Sequence, residues 1–371
     1  MMVYGHYIQQ VDASVFCNYL FMAYPCWIIL STMGITGLLP LLKDITQPCN
    51  LDQYRKKRVA VDTYSWLHKS IYTCCIELAT NQPTDKWLKY CMNMVELLLS
   101  YDIKIYLVFD GADLPAKKST EEERRKSRAK NLEKGLALHQ QGDSFKARSH
   151  FSAAVNVTPY MAAQFIQKVR HIHPSVEILV SPYEADAQLA FLSINDYVDA
   201  VISEDSDTIP YGCKEVLYKL DNRTASCHRI ILSDIFRMDG SGLMAATIPG
   251  VLTPISSAGS TSSTGKNNRK TLIDFRSFSF EMILLMCVAS GCDYLSSVRG
   301  MGIKNSYKYT MKHKEPMKLL KNMRLEGLLP IEALLSVGNG NGNGNSNSNS
   351  NSGSGGNNSR VLLYEYEFCK V

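Results

Sequence analysis

Residues 104–118 read KIYLVFDGADLPAKK. A short run dominated by aliphatic and aromatic side chains that stops at Asp110-Gly111 has the form of a buried strand ending in a tight turn. Four other runs share that form: VAV (59–61), VEILVS (176–181), DAVIS (199–203) and EVLYKL (215–220). They are mostly separated by helical-length segments. That alternation predicts an α/β fold with a mainly parallel central sheet flanked by helices.

The residues that follow these runs say more than the runs themselves. In chain order, Asp62 follows the first run (VAV) and Asp110 the second (KIYLVF). Glu184 and Asp186 follow the third, and Asp205 and Asp207 the fourth. In open parallel sheets ligands sit beyond the carboxyl ends of the strands, so six carboxylates are expected at one edge. Each acid alone has an ordinary reading. Glu184 and Asp186 follow Pro182 and could be first-turn helix acids. Asp205 and Asp207 could cap a turn, and Asp110 before Gly111 suits a simple turn. As a set, however, they would repel one another and resist ionisation unless cations neutralise them. Oxygen ligands without His or Cys suit Mg²⁺ or Mn²⁺ rather than zinc. A pair of such ions can activate water and stabilise the leaving oxygen of a phosphodiester.

Bulk composition is compatible with this reading. The 371 residues are 45% hydrophobic and 20% charged, with a net charge of +5, which permits a polyanionic partner without requiring one. Eleven cysteines show no C-x-x-C spacing, and several lie in apolar runs, so they are expected to be reduced, mostly buried thiols. The first 32 residues are apolar and carry no Lys or Arg. They lack the positive n-region of a signal peptide, and Asn18 and Pro25 interrupt a spanning helix.

Two stretches look like insertions: 256–268 (SSAGSTSSTGKNN), expected to be a flexible loop, and 338–359, an Asn/Gly/Ser tract with no apolar side chain. Two others suit DNA. The segment 117–130, KKSTEEERRKSRAK, holds seven basic and three acidic residues just after Asp110. It reads equally as a solvated, salt-bridged helix face or as a phosphate-contacting one. In 291–310, GCDYLSSVRGMGIKNSYKYT, the Gly-Met-Gly turn resembles a helix–hairpin–helix, whose glycines let backbone N–H groups approach phosphate. Asp293 adds a seventh acid there. The stretch GDSFKARSHFSAAVNVTP resembles a single tetratricopeptide repeat, a reading rejected because such repeats need neighbours.

Taken in order, MGITGLLPLL, VAVDTYSWLHK, LVFDGADLPAKK, PYEADAQLAFL, ISEDSDTIPYGC and SGCDYLSSVRGMG resemble the motifs of the flap endonuclease/XPG (RAD2) superfamily of structure-specific 5′ nucleases, and within it the exonuclease branch. The resemblance spans roughly 33–325, apart from the insertion around 238–271. It implies a flap-endonuclease-like (PIN-like) fold with a nuclease region at 33–130, a helical arch at 117–170, a second nuclease region at 171–325 and a helix–two-turn–helix near 285–310. It also implies that Asp62, Asp110, Glu184, Asp186, Asp205, Asp207 and Asp293 hold two Mg²⁺ ions, directly or through water. Lys117 and Arg124 would reach the scissile phosphate from the arch. Tyr64 would stack on a base near the 5′ end with His68 and Gly34 close by; without the resemblance, Tyr64 and His68 read as ordinary positions of an amphipathic helix. Ser297, Gly300 and Gly302 would grip duplex DNA, with K⁺ held by Ser297 and carbonyls near Met301. The acidic Glu121–Glu123 departs from the more basic arch of that family.

The expected activity is therefore Mg²⁺-dependent 5′→3′ exonuclease and 5′-flap cleavage of double-stranded DNA at nicks, gaps and recessed 5′ ends, in nuclear mismatch repair and end resection. DNA is the expected partner, with no membrane. Mismatch-repair proteins are partners in the family, but the tail that recruits them there is not among these residues and none of its interactions is expected from them. The rival readings are a flap endonuclease or junction resolvase of the same superfamily, and a non-catalytic DNA-structure-binding protein. A phosphomonoesterase of the Asp-x-Asp type is disfavoured, since VDTYS places no second acid two residues after Asp62. In that family the chain starts at a Met-Gly-Ile such as 33–35, so residues 1–32 are expected to lie outside the fold.

Overall fold

The computed structural model describes residues 34–239, 273–292 and 298–328. The N-terminal stretch, the 256–268 insertion, the Asn/Gly/Ser tract, Asp293 and Ser297 lie outside them.

Seven strands form one sheet: β1 (Gln47–Asn50), β2 (Arg58–Asp62), β3 (Lys104–Phe109), β4 (Glu177–Val180), β5 (Ala200–Ile202), β6 (Glu215–Tyr218) and β7 (Ser226–Ile231). Their spatial order is β1-β7-β6-β5-β2-β3-β4. Strands β6-β5-β2-β3-β4 run parallel, matching the five apolar runs of the sequence. The antiparallel edge made by β1 and β7 carries no comparable apolar signal. Chain order and spatial order differ, so segments from both halves of the chain interleave in this sheet.

Alternation along the central strands explains why two apolar layers form. Val59 and Val61 of β2 face one layer while Ala60 faces the other. In β3, Ile105, Leu107 and Phe109 join the first layer and Val108 the second; in β5, Ala200 and Ile202 oppose Val201. This is the period-2 consequence of the pleat, with both faces buried. Helices α1 (Thr63–Ile71), α2 (Lys86–Ser100), and later α5 (Pro159–Ile172), cover the first face through Trp66, Val95, Leu98 and Phe165. Between them in sequence lie α3 (Lys118–Gln140) and α4 (Ser144–Ala154), which pack on each other. Helix α6 (Ala185–Ile194), with α7 (Phe280–Ser290), α8 (Ile303–His313) and α9 (Pro316–Leu325), covers the second face. α7 is buried all round, from Met282 to Ala289, as its uniformly apolar sequence requires.

The pairing of α3 with α4 accounts for the repeat-like look of 142–159. The helices meet through Gly135 and Phe151, where a Cβ on Gly135 would lie 2.7 Å from the Phe151 ring. Phe151 and Ala147 then pack beside Cys75 in a small core of their own. One helical hairpin, rather than a stack of repeats, buries those aromatic positions.

At the entry to the central strands, the Asp199 carboxylate accepts the Arg58 backbone N–H at 2.7 Å and faces the Arg58 guanidinium at 3.3 Å. Burial pushes the Asp199 carboxyl up, but the Arg58 amide and guanidinium outweigh it and leave it below its ordinary value. A depressed carboxylate stabilises the fold above the unfolded pKa of about 3.9 and loses that contribution as pH falls through the folded value. Both groups are more than a third exposed, so solvent screening limits the gain. Asp199→Asn is expected to cost no more than about 1 kcal/mol at neutral pH. In urea titrations the gap between wild type and variant should close below about pH 3. A gap that persists there would place the effect in packing rather than charge.

Candidate metal and nucleic-acid site

The carboxyl ends of neighbouring strands β5, β2, β3 and β4 lie along one edge, and the acids sit there for local reasons. Asp62 is the last residue of β2 and the N-cap of α1; its Oδ1 accepts the Ser65 N–H at 3.2 Å. Its other oxygen accepts the Ser203 hydroxyl at 3.0 Å, which ties the end of β2 to the residue after β5. Asp110 follows β3, and its Oδ1 accepts the Ala185 N–H at 2.7 Å in the first turn of α6. Glu184 is the N-cap of α6 and Asp186 lies in its first turn. Asp186 thus holds the first-turn position the sequence suggested, while Glu184 sits earlier, at the N-cap, without a side-chain hydrogen bond. Asp205 caps the turn at 206–208 through the Asp207 N–H, and these roles coexist with the clustering.

Gly111 makes that approach sterically possible. A Cβ there would lie 1.8 Å from the Ser181 carbonyl oxygen, so only glycine lets the chain leaving β3 pass the end of β4. Gly34 does the same at the other side of the site. It has φ +43°, and a Cβ would meet Ser206 Oγ at 3.0 Å and Asp205 Oδ1 at 3.3 Å. Its N–H donates to Asp205 Oδ1 at 2.7 Å, and the Ile35 N–H donates to Asp207 Oδ1 at 2.9 Å. The N-terminal segment thus orients two of the acids, a role that nothing in its sequence announces.

The electrostatics confirm that the acids are mutual neighbours. Burial, then the charges of Asp110 and Asp205, push Asp62 up to about 7. Asp186 is raised well above the usual carboxylate range by burial, with Asp205, Asp62, Asp207 and Asp110 adding to it. Asp110 and Asp205 are also raised, burial being the largest cause in each; Lys117 opposes the rise at both, and Arg124 at Asp205. Five aspartates sharing one desolvated field is a costly arrangement for which cations are the ordinary remedy. Only carboxylates are offered, so the donor set fits a hard divalent ion such as Mg²⁺ or Mn²⁺. Among the described residues no three acids close into a ready coordination cage.

The cationic groups come from α3 and the turn before it. Lys117 is buried at 5% exposure and its ammonium contacts the Glu184 carboxylate. Further along, Glu121, Arg124, Arg128 and Asn131 form the half-buried face of α3 while the residues between them are exposed. Arg124 Nη1 lies 2.8 Å from Glu121 Oε1, and Arg128 lies 3.6 Å from the other Glu121 oxygen. Only Glu121 of the acidic triplet turns to this face, so the departure from a basic arch is smaller than the sequence suggests. Opposite it, on α1, His68 is pushed down by burial and by Arg128 and Arg124. Tyr64 and His68 stand one helical turn apart with ring centroids 6.4 Å from each other, both half-buried. Burial, then the charges of Asp110 and Asp113, push the Tyr64 phenol up.

A second cluster of predicted residues lies at the start of α8. Gly300 has φ +83° and open space around it, and its carbonyl accepts the Asn305 side-chain N–H at 2.7 Å. Met301 is buried, its N–H donating to the Val298 carbonyl at 2.8 Å, and Gly302 is the N-cap of α8. A Cβ on Gly37 would touch Ile303 Cγ2 at 3.0 Å, so the N-terminal segment also packs against this turn. The sequence did not signal Ser203, nor the Lys69–Glu204 ion pair that braces α1 against the loop after β5. Their position inside or beside acidic motifs was the one available hint.

The comparisons agree with this geometry. The catalytic core of Rad2 in complex with DNA substrate superposes with a TM-score of 0.54 at 17% identity, covering 79% of this chain and 74% of that one, which establishes the fold. Exonuclease 1 of Danio rerio is 39% identical over 78% of this chain and 32% of its own length. Exonuclease 1 of Arabidopsis thaliana is 39% identical over 79% of this chain and 35% of its own. Exodeoxyribonuclease 1 of Schizosaccharomyces pombe is 36% identical over 81% and 46%. The chain thus spans a third to a half of the length of these relatives. The XPG N-terminal domain model matches residues 33–131 and the XPG I-region model matches residues 175–293. These two models cover more than half the chain and include every acid of the site, and the chain belongs to the XPG family.

Proposed function

We propose that this chain is a divalent-metal-dependent 5′→3′ exonuclease of double-stranded DNA that also cleaves 5′ flaps. The observation that carries the reading is the delivery of Asp62, Asp110, Asp186, Asp205 and Asp207 into one desolvated field, with Lys117 and Arg124 facing it. The names of its relatives support the exonuclease branch over a flap endonuclease or junction resolvase.

In this reading Asp62, Asp110, Glu184, Asp186, Asp205, Asp207 and Asp293 hold two Mg²⁺ ions, for which Mn²⁺ can substitute. When bound, the ions supply Lewis acidity and water activation for in-line displacement at phosphorus. The protein's own groups then do the positioning. Glu184 holds Lys117 in the buried pocket, ready to exchange the carboxylate for a phosphate oxygen, and Lys117 and Arg124 neutralise charge developing there. Tyr64 offers a ring face to a base at the 5′ end, a contact that any base satisfies. Gly34, His68 and the turn at Gly300 and Gly302 lie against the DNA backbone, with K⁺ held by Ser297 and carbonyls near Met301. The hairpin of α3 and α4 serves as the arch through which or beside which the strand passes. Nicked, gapped and 5′-recessed duplexes are the proposed substrates, nuclear mismatch repair and end resection the proposed setting, and mismatch-repair proteins the proposed partners.

The decisive assay is cleavage of a nicked, 5′-labelled duplex with and without Mg²⁺. Asp186→Asn is the cleaner probe of the acids, because Asp205 also anchors the Gly34 and Asp207 amides. It is expected to lower Mg²⁺-dependent cleavage by at least about 10³-fold while gel-shift affinity for the same duplex stays within a few-fold. Unchanged cleavage would remove Asp186 from the metal site; cleavage of four-way junctions alone would move the chain to the resolvase branch.

Lys117→Ala separates catalysis from binding. Removing one preorganised cation at a developing charge costs about 10²–10³ in kcat with KM little changed. A rise in KM at constant kcat would instead mark Lys117 as a ground-state DNA contact.

A further inference from the structure

Far from the acids, at the antiparallel edge of the sheet, two cysteines face each other. Cys49 of β1 and Cys227 of β7 are direct register partners, and their sulfurs lie 3.0 Å apart as thiols. Two residues on, the Leu51 N–H donates to the Ala225 carbonyl at 3.0 Å. Counting back along the ladder puts Cys49 and Cys227 in a hydrogen-bonded pair. Facing Cα atoms of such a pair are about 5.5 Å apart, inside the range of about 4.4–6.8 Å that a disulfide spans. Pro48 falls at the intervening position, where its missing N–H costs the ladder nothing. The backbone therefore already has the geometry of a cross-strand bridge.

The surroundings favour a reactive sulfur over an inert one. Arg229, two residues after Cys227 on the same face of β7, has a buried Nε with no hydrogen-bond partner. Its guanidinium lies 3.9 Å from Glu215 Oε1, and the Tyr54 hydroxyl donates to that carboxylate as well. The Cys49 thiol is pulled below its ordinary value first by the Cys227 S–H, with Arg229 and Tyr54 adding to this against burial and Glu215. The same contact and burial push Cys227 well above its own, so Cys49 is the one that ionises. Cys49 keeps 8% exposure and Cys227 3%, so Cys49 is the less covered of the two.

We propose that Cys49 and Cys227 are an oxidisable dithiol, a modification site at which peroxide closes a cross-strand disulfide between β1 and β7. Cys49 gives up its proton and the thiolate attacks one oxygen of hydrogen peroxide; an S–O bond forms, the O–O bond breaks, and the hydroxide that leaves takes up that proton as water. Cys227 then attacks the sulfenic sulfur, the S–S bond forms, the S–O bond breaks, and the departing hydroxide takes the Cys227 proton as water. Two thiols and one peroxide become one disulfide and two waters. The bridge pins β1, and with it the segment that supplies the Gly34 and Ile35 amides to Asp205 and Asp207, to the body of the sheet.

The test treats the full chain with hydrogen peroxide, blocks remaining thiols with iodoacetamide, and maps peptides by non-reducing mass spectrometry. A peptide joining Cys49 to Cys227, lighter by two hydrogens and released by dithiothreitol, is expected within the first products. The same peroxide dose should raise the wild-type Tm but leave Cys49→Ala and Cys227→Ala unshifted. Oxidation of Cys49 to sulfinic acid without a crosslink, or a crosslink formed equally fast between other cysteines, would overturn the proposal. The wild-type peptide decides the matter even if either variant folds poorly. None of these readouts involves nucleic acid, so their outcome is independent of the nuclease reading.

Discussion

The structure is organised around the cost of holding several carboxylates together out of water. A parallel sheet makes the gathering possible, because adjacent strands β5, β2, β3 and β4 all end on the same edge. Like charges in a desolvated place resist ionisation, as the raised Asp62 and Asp186 carboxyls record. The rest of the site offsets that cost. The backbone N–H groups of Gly34, Ile35, Ser65 and Ala185 each donate a hydrogen bond to one aspartate carboxylate, and Lys117 pairs with Glu184.

This arrangement explains the placement of elements that otherwise look unrelated. The N-terminal segment has to reach across to the loop after β5, so its glycines adopt conformations and approaches that a side chain would block. The half-buried face of α3 turns its Glu121, Arg124 and Arg128 side toward α1 and the acids, then becomes a packing face at Gly135 and Leu138. One helix thus changes from an electrostatic surface to a hydrophobic one along its length, and α4 is the clamp that holds the apolar end.

Much of the fold was legible because burial on both faces leaves a strong mark. β2, β3, β5 and β6 had to be apolar along their inner residues, and each appeared as a run ended by polar residues. The acids were legible for the same reason, since a charged residue directly after such a run is forced to the sheet edge. β1 and β7 were not, because an edge pair with alternating exposure needs no apolar run, and QPCN and SCHRII contain none of the kind that marks the central strands. Nor could Glu121 be told from Glu122 and Glu123, whose different roles depend only on which face of α3 meets the body of the protein.

By itself, then, the sequence determined the alternating strands and helices, the mainly parallel sheet, and the carboxylates at strand ends. These follow from local patterning and the one-way direction of a parallel strand. Tertiary structure alone decided which oxygen each amide would hold, that Lys117 would be buried against Glu184, and that Cys49 would meet Cys227. Apart from the local Ser65–Asp62 cap, those contacts join residues between about 67 and 178 positions apart, and chain order carries no record of them. They exist because seven strands settle in an order other than their order in the chain, and that order is set by packing on both faces at once.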